Sequence, residues 1–218
     1  MIPLLHDFTD ARVLVFGGGP VGARKARRFA REATVLVLSP AFADADFGNA
    51  TLVRVAPDPT DVDAWFDRVG PARAVAATDD EAVNDAVVAA ARERGILVNR
   101  ADRAGGRAPG SVVVPATVRE DPVVVSISTG GTAPALSKYL REDLEERLDG
   151  AAEMAETLSA LRRELKTRGV DPDRRSAIVR DVTTRSDIWT ALRTGTSNNT
   201  EVIEEVLSAE LPPEEEQQ

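Results

Sequence analysis

The sequence has no cysteine and a single histidine, His6. These absences exclude a disulfide scaffold, a cysteine nucleophile and a zinc site of Cys and His ligands, and we expect no resident metal. The chain also lacks an apolar run of membrane-spanning length and a signal-peptide pattern. We therefore expect a soluble, cytoplasmic protein without membrane contact. Hydrophobic residues make up 43% of the 218 residues, which excludes global disorder.

Basic residues are outnumbered by acidic ones, 27 to 36, which gives a net charge of -9. A general nucleic-acid binder is disfavoured, because phosphate contacts need a basic surface. Only three of the basic residues are lysines. Many acids and alanines with few lysines are typical of proteins from salt-loving organisms, whose acidic surfaces repel themselves little at high salt.

Short apolar runs alternate with amphipathic stretches in the first half of the chain, which is the pattern of a parallel sheet with crossover helices. We predict an α/β fold with a Rossmann-type, doubly wound parallel sheet over residues 1–111. The predicted strands are 13–16, 34–38, 52–55, 74–77 and 96–98, and the predicted helices are 21–31, 62–68 and 81–94.

The pattern changes after Val98, where a loop rich in glycine and arginine replaces the next crossover helix. Two β-type runs, 111–118 and 123–128, flank the turn signal at 119–122 and predict a hairpin. A helix is expected over 133–148. We predict a small β-hairpin and helix region over 112–149, a C-terminal helical domain over 150–210 with breaks near 169–172 and 195, and a disordered acidic tail over 211–218.

Gly17, Gly19 and Gly22 fit the pattern G-x-G-x-x-G directly after the first strand, and Pro20-Val21 opens the helix that follows. The first glycine permits the tight turn, the second lets the backbone approach a pyrophosphate, and the third allows close packing of helix and strand. The helix N-terminus adds free N–H groups for phosphates. The alternative is a glycine-rich turn without a ligand.

The second predicted strand ends in Ser39-Pro40, where a dinucleotide fold often places an acid that grips the adenosine ribose. Spacing alone therefore leaves NAD and NADP open as cofactors. Arg24 and Lys25 are compatible with a 2′-phosphate, but we interpret them as the solvated face of the first helix.

Two further segments have both a structural and a functional interpretation. Thr78 and Glu81 have the spacing of a helix capping box, and Thr78-Asp79 also follows the fourth strand, where cofactors lie. The segment 128–134 places glycines before a helix that Thr132 is expected to cap, which makes a second candidate anion site.

Four ordered motifs resemble the precorrin-2 dehydrogenase family, the dehydrogenase–ferrochelatase module of siroheme synthases. The motifs are GGGPVGARK at 17–25, ATDD at 77–80 with Asn84, VNRAD at 98–102 and SISTGGTAP at 126–134. The resemblance covers about residues 1–148. It implies NAD-dependent oxidation of precorrin-2 to sirohydrochlorin on the way to siroheme, by homodimers joined largely through the hairpin region. Some members of the family also insert iron.

The resemblance also assigns roles to residues. It aligns Asp102 with the acid/base carboxylate. Precorrin-2 is a polycarboxylate, so Arg100, Arg103 and Arg107 are candidate substrate ligands, with a solvated basic loop as the alternative. The loop residues Ser128, Gly130, Gly131 and Thr132 are expected to face the tetrapyrrole. The expected cofactor residues are Gly17, Gly19, Pro20, Val21, Gly22, Ser39, Thr78, Asp79 and Asn99.

Three other functions remain as alternatives. The first is a bifunctional dehydrogenase and sirohydrochlorin ferrochelatase. The second is a catalytically silent partner that binds NAD or the tetrapyrrole, which the presence of Asp102 disfavours. The third is a regulatory Rossmann module that senses NAD, and this leaves the hairpin and the 128–134 motif without a purpose.

Overall fold

The computed structural model describes residues 4–101 and 112–211. The chain forms two compact units, Met1–Val114 and Pro115–Gln218. Among the described residues, no helix is long and apolar enough to cross a membrane.

The first unit is a five-stranded parallel sheet with the strand order β3-β2-β1-β4-β5. β1 lies at the centre, between β2 and β4, and helices cover both faces. This is the doubly wound fold that the alternating pattern predicted. The elements in chain order are β1 (Arg12–Phe16), α1 (Pro20–Phe29), β2 (Thr34–Ser39), β3 (Thr51–Arg54), α2 (Val62–Val69), β4 (Arg73–Ala76), α3 (Glu81–Glu93) and β5 (Leu97–Arg100).

The central strands are apolar on both sides because each face of the sheet packs against helices. Leu14 and Phe16 lie in one buried layer with residues of α2 and α3. Val13 and Val15 lie in the other layer with residues of α1. The two layers keep the carboxyl ends of β1, β2 and β4 together at one edge of the sheet, where the loops that could hold a ligand begin.

Up to Leu211, the last residue that the structure describes, the second unit contains an antiparallel hairpin and five helices. The breaks expected near 169–172 and 195 are confirmed, since helices end just before Gly169 and Gly195, which have φ of +72° and +67°. The elements are β6 (Ala116–Glu120), β7 (Val123–Ile127), α4 (Pro134–Arg147), α5 (Ala151–Thr167), α6 (Pro172–Thr184), α7 (Ser186–Thr194) and α8 (Asn199–Glu210).

The hairpin differs from the sequence prediction at its start, because the first strand begins at Ala116 and residues 112–115 form no strand. This stretch is attached to the first unit instead: the N–H of Val112 donates to the carbonyl of Val98 at 3.1 Å. Pro115 has no N–H for a ladder, so the strand starts after it. The apolar run at 112–114 therefore belongs to the edge of the parallel sheet.

Two cations of the first unit are shielded from water, and for Lys25 this differs from the solvated position that the sequence predicted. The side chain of Arg24 on α1 is exposed as predicted, but that of Lys25 is partly buried. Arg73, the first residue of β4, is only 3% exposed, and its guanidinium carbon lies 4.9 Å from the centre of the Phe29 ring. Burial lowers the pKa of Arg73 to about 10. Burial, together with the positive charges of Arg28, Arg24 and Arg73, lowers the pKa of Lys25 to about 8.

The depressed pKa of Lys25 predicts a particular pH dependence of stability. Below about pH 8 the residue is charged in both the folded and the unfolded chain, so the cost of holding its charge in the fold is fully present. Between about pH 8 and pH 10.5 the folded chain releases the proton first, and the free energy of unfolding rises with pH. We expect Lys25→Met to be more stable than wild type at pH 7, by an amount that shrinks towards pH 10. Urea unfolding across this range measures the difference.

Arg24→Met is the matched control, because it removes the same charge from an exposed position of the same helix. Its difference from wild type should stay nearly constant over the range. A Lys25→Met protein that is less stable than wild type at pH 7 would contradict the prediction.

Candidate functional site

The turn between β1 and α1 requires glycine at two positions. Gly17 has φ of +113°, and a Cβ on it would lie 2.2 Å from the carbonyl oxygen of Ala77, at the end of β4. A Cβ on Gly22 would lie 2.0 Å from the carbonyl oxygen of Gly17. Both distances are far below contact, so any side chain here would push α1 away from the sheet.

Gly19 is different: among the described residues, apart from Gly19 itself, its chain neighbours and the backbone of α1, no atom lies within 4 Å of the position that its Cβ would take. Gly19 is the N-cap of α1 and Pro20 follows it, and no side chain caps the helix. The N–H groups of the first turn are therefore free to bind an anion, and Pro20 has none to leave unpaired. A side chain at this position would not clash with the rest of the described structure. A glycine here instead leaves room for a phosphate to approach the backbone.

A cavity of about 610 Å³ lies over this turn, at the carboxyl ends of β1, β2 and β4. Its volume is within the usual range for small-molecule sites. The sheet reverses its order between β1 and β4, which is where open α/β sheets bind nucleotides. Three loops line the cavity: 17–21 after β1, 39–43 after β2 and 77–80 after β4, together with Leu38, Ala56, Pro57 and Val83.

The loop after β4 is held by Asn84 of α3, which is 1% exposed. Its Oδ1 accepts hydrogen bonds from the Thr78 N–H at 3.1 Å and lies 2.9 Å from the Thr78 hydroxyl, and its Nδ2 donates to the Thr78 carbonyl at 2.8 Å. Asn84 thus hydrogen-bonds both the N–H and the carbonyl of Thr78, which lies beyond the end of β4 and has no partner strand for these groups. We assigned no role to it from the sequence, although it lies in a motif of the family.

The expected capping box at Thr78 and Glu81 is wrong. The N-cap of α3 is Asp80, whose Oδ1 accepts from the N–H groups of Ala82 at 2.8 Å and Val83 at 3.2 Å. Thr78 lies two residues too early for this role, because its hydroxyl is in the bonded cluster of the loop. It lines the cavity with Asp79, as the cofactor interpretation expected.

The loop after β2 carries no acid at the cavity. Ser39 is buried and its hydroxyl donates to the carbonyl of Ala41 at 2.6 Å, so it shapes the loop. Arg54 at the end of β3 donates to the carbonyl of Pro40 at 3.0 Å. Among the lining residues that the structure describes, the acids are Asp79 and Asp80, and both follow β4.

Asn99 and Arg100 of β5 are not among the residues that line the cavity. The Nδ2 of Asn99 donates to the carbonyl of Val112 at 3.0 Å, and its buried Oδ1 has no partner within the described residues. Arg100 pairs with Asp85 and Glu81 of α3. The structure thus directs Arg100 towards α3, and Asp102, Arg103 and Arg107 lie outside the described residues.

The glycine segment of the second unit lies between β7 and α4. Gly130 and Gly131 have φ of +66° and +86°, and the Ser128 hydroxyl accepts from the N–H of Gly130 at 3.3 Å. The expected cap at Thr132 is wrong: the N-cap of α4 is Ala133, and the Thr132 hydroxyl donates to the carbonyl of Thr129 at 2.6 Å. The positive φ angles of the two glycines reverse the chain direction, so that Thr132 reaches the carbonyl of Thr129.

The fold and the glycine cavity define a dinucleotide-binding protein of the Rossmann type. In agreement, a family model described as "Putative NAD(P)-binding" matches residues 4–116. The "Precorrin-2 dehydrogenase" of Methanosarcina barkeri is 31% identical over 195 residues, which cover 86% of this chain and 85% of that protein. The chain belongs to the precorrin-2 dehydrogenase family.

Two other comparisons agree with this assignment. A "Siroheme synthase" of Pseudomonas putida is 36% identical over 180 residues, and the match covers 80% of this chain but 37% of that longer protein. The solved structure of "SirC, precorrin-2 dehydrogenase" superposes with a TM-score of 0.66 over 94% of this chain and all of the other, at 22% identity. That likeness supports the fold of both units.

The glycines of the turn predict two different mutant phenotypes. We expect Gly19→Asp to fold, because its Cβ meets open space, and to lose at least tenfold in NAD affinity, since the carboxylate faces the phosphate site. Gly22→Ala is expected to unfold at a lower temperature, because its Cβ would overlap the Gly17 carbonyl. Calorimetric titration with NAD and thermal unfolding separate the two. Wild-type NAD affinity in folded Gly19→Asp would contradict the assignment.

Proposed function

We propose that the chain catalyses the NAD-dependent oxidation of precorrin-2 to sirohydrochlorin, a step towards siroheme. The observation that carries the proposal is a nucleotide cavity with an open glycine at its helix N-terminus, in a chain that aligns with 85% of a precorrin-2 dehydrogenase. When bound, NAD supplies the hydride acceptor. The protein must then bind, orient and handle protons.

We assign a different part of the dinucleotide to each of the three loops that line the cavity. The N–H groups at Gly19 and the first turn of α1 are suited to the pyrophosphate. The loop after β2, with Ser39 buried beneath it, lies where dinucleotide folds hold the adenosine half. The loop after β4, in which Asn84 holds Thr78, is left for the nicotinamide half. The absence of an acid after β2 does not by itself choose NAD over NADP, and NAD is supported by membership of the family.

Asp102 is the proposed acid/base residue. It directly follows Ala101, whose N–H donates to the carbonyl of Ala76 at 2.8 Å, beside the cavity-lining Ala77. A carboxylate there can accept the proton that the substrate loses as hydride departs. Arg103 and Arg107, which follow Asp102 in the sequence, are proposed to bind carboxylates of the substrate bidentately. The loop 128–132, with Ser128, is proposed to face the tetrapyrrole as well.

We also propose that the protein works in the cytoplasm as a homodimer joined through residues 112–149. No residue of α4 is buried, and the side chains of Leu136 and Tyr139 are 48% and 62% exposed. A two-stranded hairpin is marginally stable by itself, and α4 packs against β6 and β7 within this unit. A second copy of the chain would cover the apolar side chains that α4 leaves exposed.

A second candidate activity is the insertion of ferrous iron into sirohydrochlorin. The observation that favours it is the similarity to siroheme synthases, of which the chain spans 37% of the length in the Pseudomonas putida protein. Iron would be a substrate here, and proton removal from the pyrrole nitrogens would again fall to a carboxylate such as Asp102.

The test is an anaerobic incubation with precorrin-2 and NAD, followed by visible spectroscopy for sirohydrochlorin and for NADH. Ferrous iron added to the same cuvette tests the second activity. The assay should cover a series of salt concentrations, because the acidic composition suggests a salty milieu. Gly19→Asp is the negative control. NAD binding by wild type without any turnover would overturn the proposal and favour a sensing module.

Asp102→Asn keeps the size of the side chain and removes the proton acceptor. Because general acid–base catalysis contributes about 10²- to 10⁴-fold, we expect turnover to fall by that order while NAD affinity is kept. Single-turnover kinetics at saturating NAD measure the effect. Near-normal oxidation by the folded variant would remove Asp102 from the mechanism, and loss of iron insertion alone would make it a metal-handling group.

A further inference from the structure

Asn84 of α3 is a buried polar side chain whose contacts lead to the nucleotide cavity, although it does not line the cavity itself. β4 ends at Ala76, and Ala77 is still held at the sheet edge, since its N–H donates to the carbonyl of Phe16 at 2.8 Å. Beyond it, the N–H and the carbonyl of Thr78 are both bonded to Asn84. One buried side chain therefore holds the loop where it leaves the sheet.

The two backbone contacts need a side-chain amide. The Thr78 N–H needs an acceptor and meets Oδ1 of Asn84 at 3.1 Å, whereas the Thr78 carbonyl needs a donor and meets Nδ2 at 2.8 Å. A carboxylate offers acceptors alone, and an aliphatic side chain offers neither group. Because Asn84 is buried, a lost contact leaves an unsatisfied polar group in the protein interior. The residue type is thus matched to holding Thr78.

Asp79 lies between two residues that are fixed by hydrogen bonds. Thr78 before it is bonded to Asn84, and Asp80 after it is the N-cap of α3. The Asp79 side chain is exposed and lines the nucleotide cavity, and within the described part of the chain its carboxylate forms no hydrogen bond or ion pair. Its backbone is therefore placed from both sides, while its carboxylate is open to a ligand.

The chemistry of the cavity limits the ligand of Asp79. A carboxylate repels phosphate groups, so Asp79 is unsuited to the pyrophosphate, which the free N–H groups at Gly19 can bind. A ribose offers hydroxyl donors, and carboxylates accept hydrogen bonds from ribose hydroxyls in dinucleotide folds. Asp80, the other acid among the described lining residues, already caps α3. Since the loop after β4 is assigned to the nicotinamide half, the ribose of that half is the suitable ligand.

We propose that Asn84 is a positioning residue of the nucleotide site: it holds Thr78 so that the carboxylate of Asp79 accepts hydrogen bonds from the ribose of the nicotinamide half. This inference rests on the proposed function, because that function brings the dinucleotide to the cavity. Asn84 acts on the backbone of the loop, and Asp79 meets the ligand. A change at Asn84 should therefore affect only ligands that contain the nicotinamide ribose.

The main test is the variant Asn84→Asp, which makes the contact with Thr78 depend on pH. A protonated carboxyl has one donor and one acceptor in the place of the amide groups. An ionised carboxyl has no donor for the Thr78 carbonyl, and its second oxygen repels that carbonyl. The wild-type amide does not titrate, so the ratio of variant to wild type isolates this effect at each pH.

The surroundings determine the pH at which the introduced carboxyl ionises. Burial raises its pKa, and the negative charges of Asp79 and Asp80 on the adjoining loop act in the same direction. On α3 itself, Glu81 and Asp85 are paired with Arg100 of β5, and the two acids of α2 pair with an arginine at the other end of α3. We therefore expect the carboxyl to be protonated at about pH 6 and increasingly ionised towards about pH 9.

We expect the dissociation constant of Asn84→Asp for NAD to equal that of wild type at about pH 6. At about pH 9 it should be roughly tenfold higher, the loss expected for one hydrogen bond to a charged group. ADP contains the adenosine and both phosphates without the nicotinamide ribose, so it should bind both proteins equally at every pH. Calorimetric titrations measure both constants. An equal loss for the two ligands, or no loss for either, would overturn the proposal.

Asp79→Ala tests whether Asn84 acts through Asp79. The Asp79 side chain is exposed, so its truncation should leave the fold intact. We expect a loss of roughly tenfold in NAD affinity at unchanged ADP affinity, and almost no further loss when Asn84→Asp is added, because the two residues support one contact. Additive losses in the double variant would count against the proposal and overturn it. If Asn84→Asp does not fold, Asp79→Ala decides alone, and unchanged NAD affinity in it refutes the proposal.

Val87→Ala is the control for a general loss of stability. Val87 is fully buried on the same helix, about one turn after Asn84, and does not line the cavity. Its truncation should lower the unfolding temperature and leave the affinities for NAD and ADP unchanged at every pH. A selective, pH-dependent loss of NAD affinity in Val87→Ala would assign the effect to stability and overturn the proposal.

The titrations need no substrate, so a failure of the proposed function is distinguishable from a failure of this inference. A wild-type protein that binds NAD without oxidising precorrin-2 would refute the proposed function. The comparison of NAD with ADP would still decide the role of Asn84.

Discussion

The contact of Gly22 with the carbonyl of Gly17 is the constraint on which the nucleotide site depends. It lets α1 lie directly against the end of β1, and the same turn places Gly17 against the carbonyl of Ala77, just after β4. Backbone contacts alone thereby hold α1, the end of β1 and the end of β4 together at this edge of the sheet. The free N–H groups at Gly19 follow from this arrangement, because the helix begins where no side chain can cap it.

The β4 side of the cavity is fixed by a different means. Here polar side chains replace backbone packing: Asn84 reaches from inside α3 to both backbone groups of Thr78, and Asp80 caps the same helix. The loop that could meet the reactive half of a dinucleotide is thus tied to a helix whose other side is buried in the core. Rigid positioning of this kind favours a defined geometry for hydride transfer.

The charged side chains fall into two groups: those in partly exposed ion pairs and those that the fold shields from water. Acids are abundant in the chain and pair with partly exposed arginines such as Arg94 and Arg185, where each pair contributes little to stability. Lys25 and Arg73 differ from these pairs, because burial lowers the pKa of both side chains. Holding these two charges in the fold therefore costs free energy.

The sequence by itself determined the alternation of strands and helices, the glycine turn and the family, because these depend on periodicity and on residues that are close along the chain. It also located Thr78 and Asp79 at the correct edge of the sheet. The tertiary structure alone decided that Asp80 caps α3, that Arg100 turns to Asp85, and that Lys25 is partly buried. It also separated Gly19, which faces open space, from the glycines that packing demands. The physical reason is that a capping bond, an ion pair and the burial of a charge depend on partners brought together by folding, and a local pattern does not contain those partners.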